Sequence, residues 1–553
     1  MSPHAPRGVV PLPNMHLKYT IATLSILAFF VVRKFLRRSR LRFVTQLPGP
    51  PPGSFLAGNL PSMAVTKNVG DTEFEWINTY GSAMHIKGAL GRDLLFTADP
   101  KALQYVMNTS GYKFPKSPDF RYLIRMVTGK GIIWADGEQH TRHKRIMSPA
   151  FSVGAIKSYV PLFEENARHL VAKLRDVVSQ SNTTSSVVDI SSWLARVTLD
   201  VMGSVFDYDL GALSETDNEL TKVYKRLFLA AYAHRTDATF AAHEIFSYLP
   251  DWTIKVLQSM PDENLAKVRN YERVALRTAR MLVDREMQSL AAGNEGSQNL
   301  MSHLVKANVS QTGQDKLGMD ELLAQLTSLL LAGHETTAGT VGWTLYELST
   351  RPHLQANIRE EIKEARRQAG GKELGPNDFE SMPYLVATVK ETLRFHPLLP
   401  SIIRMAENDD VIPLLTPQIT KTGETVKEIP VSKGQRIMIS IAAYNRLESV
   451  WGKDSHEWKP ERFLNNQPDN EKAGLGVYAN LASFSSGERS CIGWRFSLIE
   501  MHVILAELLE NFEFSPPPGN VEILRVAASL MVPMVKGSDT GRVELPLTIT
   551  PVL

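Results

Sequence analysis

Cysteine is all but missing: Cys491 is the only one in 553 residues. A lone cysteine cannot close an intrachain disulfide, and the body of the chain carries no mark of an oxidising compartment. An excess of charge is lacking too. Sixty-one Lys and Arg face 58 Asp and Glu, a net of +3, which makes no case for nucleic acid as a partner. Internal repeats are absent, and no second linker follows the N-terminal region. What is present is ordinary globular material, 43% hydrophobic and 22% charged. The length suits two to four ordinary domains or one unusually large one, and without an internal boundary residues 61–553 are expected to form one domain.

The N-terminal apolar run is short. Fourteen uncharged residues, Tyr19 to Val32, lie between Lys18 and Arg33, whereas a full membrane span takes about 20. Leu17, Phe35 and Leu36 lengthen the run if Lys18, Arg33 and Lys34 snorkel. A cleavable signal peptide competes, but no small-x-small cleavage site follows. Instead come Arg33, Lys34, Arg37, Arg38, Arg40 and Arg42, a cluster that stays in the cytoplasm by the positive-inside rule. The expected layout is a short lumenal tail (1–16), a transmembrane signal-anchor (17–36), a basic and proline-rich hinge (37–60) and the body (61–553). The hinge contains Leu47-Pro48-Gly49-Pro50-Pro51-Pro52-Gly53, whose prolines favour a stiff spacer.

Four separated stretches carry chemistry. The first is Phe484-x-x-Gly487-x-Arg489-x-Cys491-x-Gly493, followed by a stretch of helical apolar spacing, Ile499, Val503, Leu505, Leu508 and Leu509. A cysteine at a helix N-terminus is expected to have a lowered pKa and to favour the metal-binding thiolate. The bland alternative is a small buried hydrophobe. The second is Ala332-Gly333-His334-Glu335-Thr336-Thr337, inside a long helix expected from about Asp320 to Ser349. Glu335 and Thr336 there interrupt apolar sequence. The alternative is a kinked helix with a threonine bonded back to its own carbonyl. The third is Glu391-x-x-Arg394, one face of a helix and, taken alone, a common surface pair. The fourth is Pro460-Glu461-Arg462-Phe463. A helix expected from Gly137 bears His140, Arg142, His143, Lys144 and Arg145, which a solvated face would also explain. Strands of a small sheet are expected at Ala83–Lys87 and Asp93–Thr97.

In this order the stretches resemble the cytochrome P450 family, over residues 45–553, and the hinge and the Ser148-Pro149-Ala150-Phe151 ending of the basic helix resemble fungal microsomal members. The resemblance implies a mainly α fold with small β-sheets (α+β), a single large haem-binding domain preceded by one transmembrane helix. It implies haem b held by Cys491 as axial ligand, with Phe484 and Arg489 on the same loop. His140, where tryptophan is common, and Lys144, where arginine is common, would meet the haem propionates, as would Arg404. Gly333 would leave room for O₂, and Thr336 and Glu335 would route the protons that cleave it. Glu391, Arg394 and Arg462 would form a buried structural network.

The activity implied is hydroxylation or other oxidation of a lipophilic small molecule. Terpenoids of fungal secondary metabolism are the favoured substrate class, with xenobiotics or fatty acids as alternatives. No flavin- or nucleotide-binding segment is seen, so electrons would come from a separate NADPH-cytochrome P450 reductase, with cytochrome b5 a further candidate donor. The expected location is the endoplasmic reticulum membrane, single-pass, catalytic domain in the cytosol. A haem-thiolate isomerase or dehydratase that needs no O₂, and a non-catalytic haem protein, are the competing classes.

Overall fold

The computed structural model describes residues 43–552 except 65–67, 182–183, 215–217, 224–235, 251, 293–298, 465–473, 529 and 539–541. The expected lumenal tail and signal-anchor lie outside the described residues. Among those described, no helix is long and apolar enough to cross a membrane.

The chain joins its folded body before residue 61. Val44 and Leu47 are buried in a core cluster with Ala83 and Leu95, and the Pro48 carbonyl accepts the His85 N–H at 3.0 Å. Gly49 has to be glycine here, because a Cβ would sit 1.8 Å from the His85 carbonyl oxygen. The start of the proline stretch is thus docked on a strand rather than held away as a spacer.

That strand is β1 (Ala83–Lys87), which forms a sheet with β2 (Asp93–Thr97), β3 (Ser401–Met405) and β4 (Arg436–Ser440) in the order β1-β2-β4-β3. Both strands expected from sequence are present. The β2–β4 pair is parallel and the others antiparallel, with Arg404 of β3 opposite Ile437.

The remainder is mostly helical. The helices that position the site are α1 (Pro118–Thr128), α2 (Gly137–Met147), α3 (Val153–Gln180), α4 (Ile190–Val205), α5 (Glu263–Ala291), α6 (Met319–Ser349), α7 (Pro383–Phe395) and α8 (Trp494–Asn511). One large apolar core joins residues from all eight or packs against them. α6 runs through it, buried on most faces, as a helix that is apolar nearly all round must be. Its hydroxyls at Thr336, Thr340 and Thr344 donate to the carbonyls four residues back, at 2.8–2.9 Å. α8 is buried from Phe496 almost to its end and packs on α3, α6 and α7.

Burying α8 also buries His502, neither of whose ring nitrogens has a hydrogen-bond partner among the described residues. Burial lowers its pKa to about 4. An unfolded histidine titrates near 6.5, so as pH falls the unfolded chain takes the proton first. His502 therefore costs stability progressively between about pH 6.5 and pH 4, by up to about 1.4 kcal/mol per pH unit. His502→Leu is expected to flatten the acid side of the stability profile, measured as denaturant midpoints at pH 7 and pH 5. Parallel losses in variant and parent would show that His502 does not contribute.

Candidate functional site

The cysteine loop is tied at several points. The Cys491 N–H donates to the Phe484 carbonyl at 2.9 Å, closing a tight turn in which Ser485 and Gly487 have φ of 60° and 63°. A Cβ on Gly487 would lie 2.4 Å from the Met107 carbonyl oxygen and 2.8 Å from Asn108 Cα. Only glycine allows both the left-handed backbone and that approach. Lys144, from α2, donates to the Glu488 carbonyl at 2.8 Å and to Ser490 Oγ at 3.2 Å. The ammonium thus meets the cysteine loop itself, a contact not foreseen from sequence.

The Cys491 side chain is exposed, yet the protein packed around it makes burial the dominant influence on the thiol, which places it on an internal face. The expected lowering of its pKa is not found. Burial pushes the thiol up; the Gly493 N–H and the Lys144 ammonium pull it down but do not win. Helix α8 starts only at Trp494, three residues on, so the dipole acts weakly against the cost of desolvating a thiolate.

Beside the loop is a concentration of buried cations. Arg489 Nε donates to Asp136 Oδ1 at 2.6 Å, and its guanidinium lies 4.6 Å above the Tyr112 ring. Arg404 on β3 is 9% exposed, and among the described residues the one hydrogen bond of its guanidinium is a long 3.4 Å contact with the neighbouring Ile403 carbonyl. Burial, with Arg489 nearby, lowers its pKa to about 10. Lys116 makes an isolated bridge to Arg404 and donates from Nζ to the carbonyls of Ile132, Ile133 and Ala135 at 2.7–3.1 Å. Burial lowers it to about 7.

His140 is buried, with Nδ1 2.8 Å from the Tyr112 hydroxyl. The Thr141 hydroxyl reaches that oxygen at 3.1 Å and the Gly137 carbonyl at 3.3 Å; where the Tyr112 proton goes to Nδ1, the imidazole keeps its own on Nε2, ready to donate. Burial and the surrounding cations lower His140 to about 3, so it is neutral at physiological pH.

Arg404, Arg489 and Lys116 thus surround one carboxylate, Asp136, which also accepts the Lys116 N–H at 2.9 Å. Buried charge requires compensation, and two more carboxylates would balance this cluster. The donor set, a thiol beside cations that outnumber their carboxylates, fits a thiolate-ligated metal cofactor that carries acid groups, which Arg404, Arg489 and His140 would meet.

The α6 turn contributes the opposite wall. Ala332 is exposed in the middle of an otherwise buried helix, and Glu335 and Thr336 are half-buried. Thr336 Oγ1 donates to the Ala332 carbonyl at 2.8 Å, the arrangement of the bland alternative, and its lone pairs can still accept. Glu335 lies 3.3 Å from His334 Nε2. Gly333 also serves packing: a Cβ there would meet Met202 Sδ at 2.5 Å, so the glycine lets α4 come close to α6.

Beneath the site the Glu391 network is present. Arg394 grips Glu391 by Nε and Nη2, both at 2.7 Å, and donates to the carbonyls of Asn445, Ser455 and Glu457 at 2.7–2.9 Å. Arg462 Nε stands 3.6 Å from Glu391 and its Nη1 bonds the Trp451 carbonyl and Asp454.

Sequence reasoning missed Lys116, Asp136 and Tyr112. Lys116 and Tyr112 lie in irregular chain with no motif around them. They matter because the fold brings residues 112–116, 136–140, 404 and 489 together.

A family model described as Cytochrome P450 matches residues 48–537. A cytochrome P450 monooxygenase of Postia placenta is 35% identical over 518 residues, covering 91% of this chain and 92% of the relative. A ganoderic acid synthetase of Ganoderma lucidum is 31% identical, covering 89% and 91%. A cytochrome P450 monooxygenase of Ampulloclitocybe clavipes is 30% identical, covering 95% and 98%.

Proposed function

The chain belongs to the cytochrome P450 family, oxidoreductases that use haem b and O₂ with electrons from a reductase, and from that premise we propose a membrane-anchored monooxygenase acting on a lipophilic small molecule. The observation that carries this reading is Cys491, the sole cysteine, on an internal face of a loop fixed from three sides.

When bound, haem with a thiolate ligand supplies the oxygen-activating chemistry. The chain's own part is positioning and proton handling. Lys144 and the Phe484 carbonyl fix the loop that presents Cys491. Arg404, Arg489 and the Nε2–H of His140 would orient the cofactor's acid groups. Thr336, its proton committed to Ala332, can accept a hydrogen bond on the α6 side, and Glu335 is the acid within that turn that can hold a proton.

Leu398, Leu399, Ile402 and Ile403 follow α7 towards Arg404 and, with Ala332, offer apolar surface. A lipophilic substrate suits them. A relative named for making ganoderic acid supports a role in fungal small-molecule biosynthesis, and a terpenoid is the class we favour. The anchor at 17–36 rests on the sequence pattern and would hold the body on the cytosolic side of the endoplasmic reticulum. NADPH-cytochrome P450 reductase is the proposed electron donor.

The test is conversion of candidate lipophilic substrates by membranes carrying this protein and a reductase. Turnover that needs both NADPH and O₂ supports the proposal; turnover needing neither would establish the isomerase or dehydratase alternative. Thr336→Val is expected to lower product formation by roughly 10²-fold, the scale of a lost proton-handling group, while NADPH consumption persists. Equal losses in both would remove Thr336 from the proton route.

A further inference from the structure

Glu500 is fully buried on α8, and among the described residues its oxygens have no partner apart from Thr337. Burial drives its pKa well above the ordinary carboxylate range, which favours the neutral acid with an O–H to donate. The polar group that acts against this shift is the hydroxyl of Thr337 on α6. Thr337 is itself exceptional. Thr336, Thr340 and Thr344 each bond back to their own helix, but the Thr337 hydroxyl is fully buried and, among the described residues, has no partner besides the Glu500 carboxyl that it acts on. α6 and α8 pack against each other, so two buried polar groups with no other partner meet across the contact between the helix that follows Cys491 and the helix that carries Glu335 and Thr336. A buried polar group is costly unless it is satisfied, so each depends on the other.

We propose that Glu500 is a positioning residue that acts through Thr337 to set where α6 presents Thr336 and Glu335. Thr337 adjoins Thr336, and Gly333, four residues before Thr337, abuts Met202 of α4. The same turn is therefore gripped by α4 at Gly333 and by α8 at Thr337. A shift of Thr337 relative to Glu500 rotates the turn and moves Thr336 with it. The pair links the cysteine helix to the opposite wall. This inference rests on the haem-thiolate reading of the site.

The test needs no substrate. The C–O stretching band of the reduced, CO-bound holoprotein reports the polar environment on the α6 side. Glu500→Leu and Thr337→Val are each expected to shift that band, with the double variant shifted no further than the larger single change. Glu500→Gln, which keeps an N–H donor and an acceptor, is expected to restore the parental band. The thermal midpoint of Glu500→Leu should equal or exceed that of the parent, because a buried acid leaves the core. An unshifted band in Thr337→Val, or shifts that add in the double variant, would overturn the proposal; the first of these decides even if Glu500→Leu does not fold. A parent protein that shows no thiolate-type CO complex would instead defeat the reading on which the inference rests.

Discussion

Replacing Cys491 by serine is expected to abolish the strongly red-shifted Soret band that the dithionite-reduced, CO-bound protein shows, and to abolish monooxygenase turnover with it. The fold should survive. The loop is closed by the backbone N–H of residue 491 on the Phe484 carbonyl, by Lys144 on Glu488 and Ser490, and by Arg489 on Asp136. None of these uses the sulfur. What changes is the donor atom. Burial already pushes the thiol pKa up, and an alcohol in that place resists deprotonation far more, so it cannot act as a strong anionic ligand. A parental Soret band at the position typical of histidine ligation would overturn the axial assignment. The nearby His140 is a poor rival, since its Nδ1 is engaged by the Tyr112 hydroxyl, which fixes the ring. Thermal midpoints of parent and variant, measured on the same preparations, separate loss of the ligand from loss of the fold.

How far the site could be read from sequence depended on the kind of constraint. Phe484, Gly487, Arg489, Cys491 and Gly493 sit within ten residues, so their pattern is local and visible. The α6 turn was visible as polar residues in an apolar helix, yet the packing role of Gly333 was not, because Met202 lies 131 residues away in sequence. The thiol's pKa direction was misjudged for a related reason. Helix dipole and loop cations follow from local sequence, whereas desolvation depends on everything packed around the loop. The docked start of the proline stretch, Lys116 beneath Arg404 and Asp136 between Arg489 and Lys116 all arise where distant segments meet. The sheet was partly legible: β1 and β2 are short apolar segments set close together in the chain, but the parallel β2–β4 pairing that carries β3 and Arg404 to the site spans some 340 residues.

Arg394→Leu is expected to cost about 3–5 kcal/mol of stability, the scale for stranding a buried charge, and to leave little folded, haem-loaded protein. The spacing Glu-x-x-Arg does not by itself foretell this. Glu364 and Arg367 have the same spacing and also bond by two contacts, but both are solvent-exposed, where water replaces either partner. Arg367→Leu is expected to leave the denaturation midpoint unchanged. Glu391 and Arg394 are wholly enclosed. Without the guanidinium, Glu391 keeps only the Lys459 N–H at 2.7 Å and Arg462 at 3.6 Å, and the carbonyls of Asn445, Ser455 and Glu457 lose their donor. Arg394→Lys should recover little, because an ammonium cannot form the paired contact with Glu391 and reach three carbonyls as well. Glu391→Leu combined with Arg394→Leu should recover part of the loss, since no buried charge is then left alone. If Arg394→Leu and Arg367→Leu shift the midpoint equally, the buried network does not hold the floor of the site, and its bonds are a consequence of the fold rather than a cause.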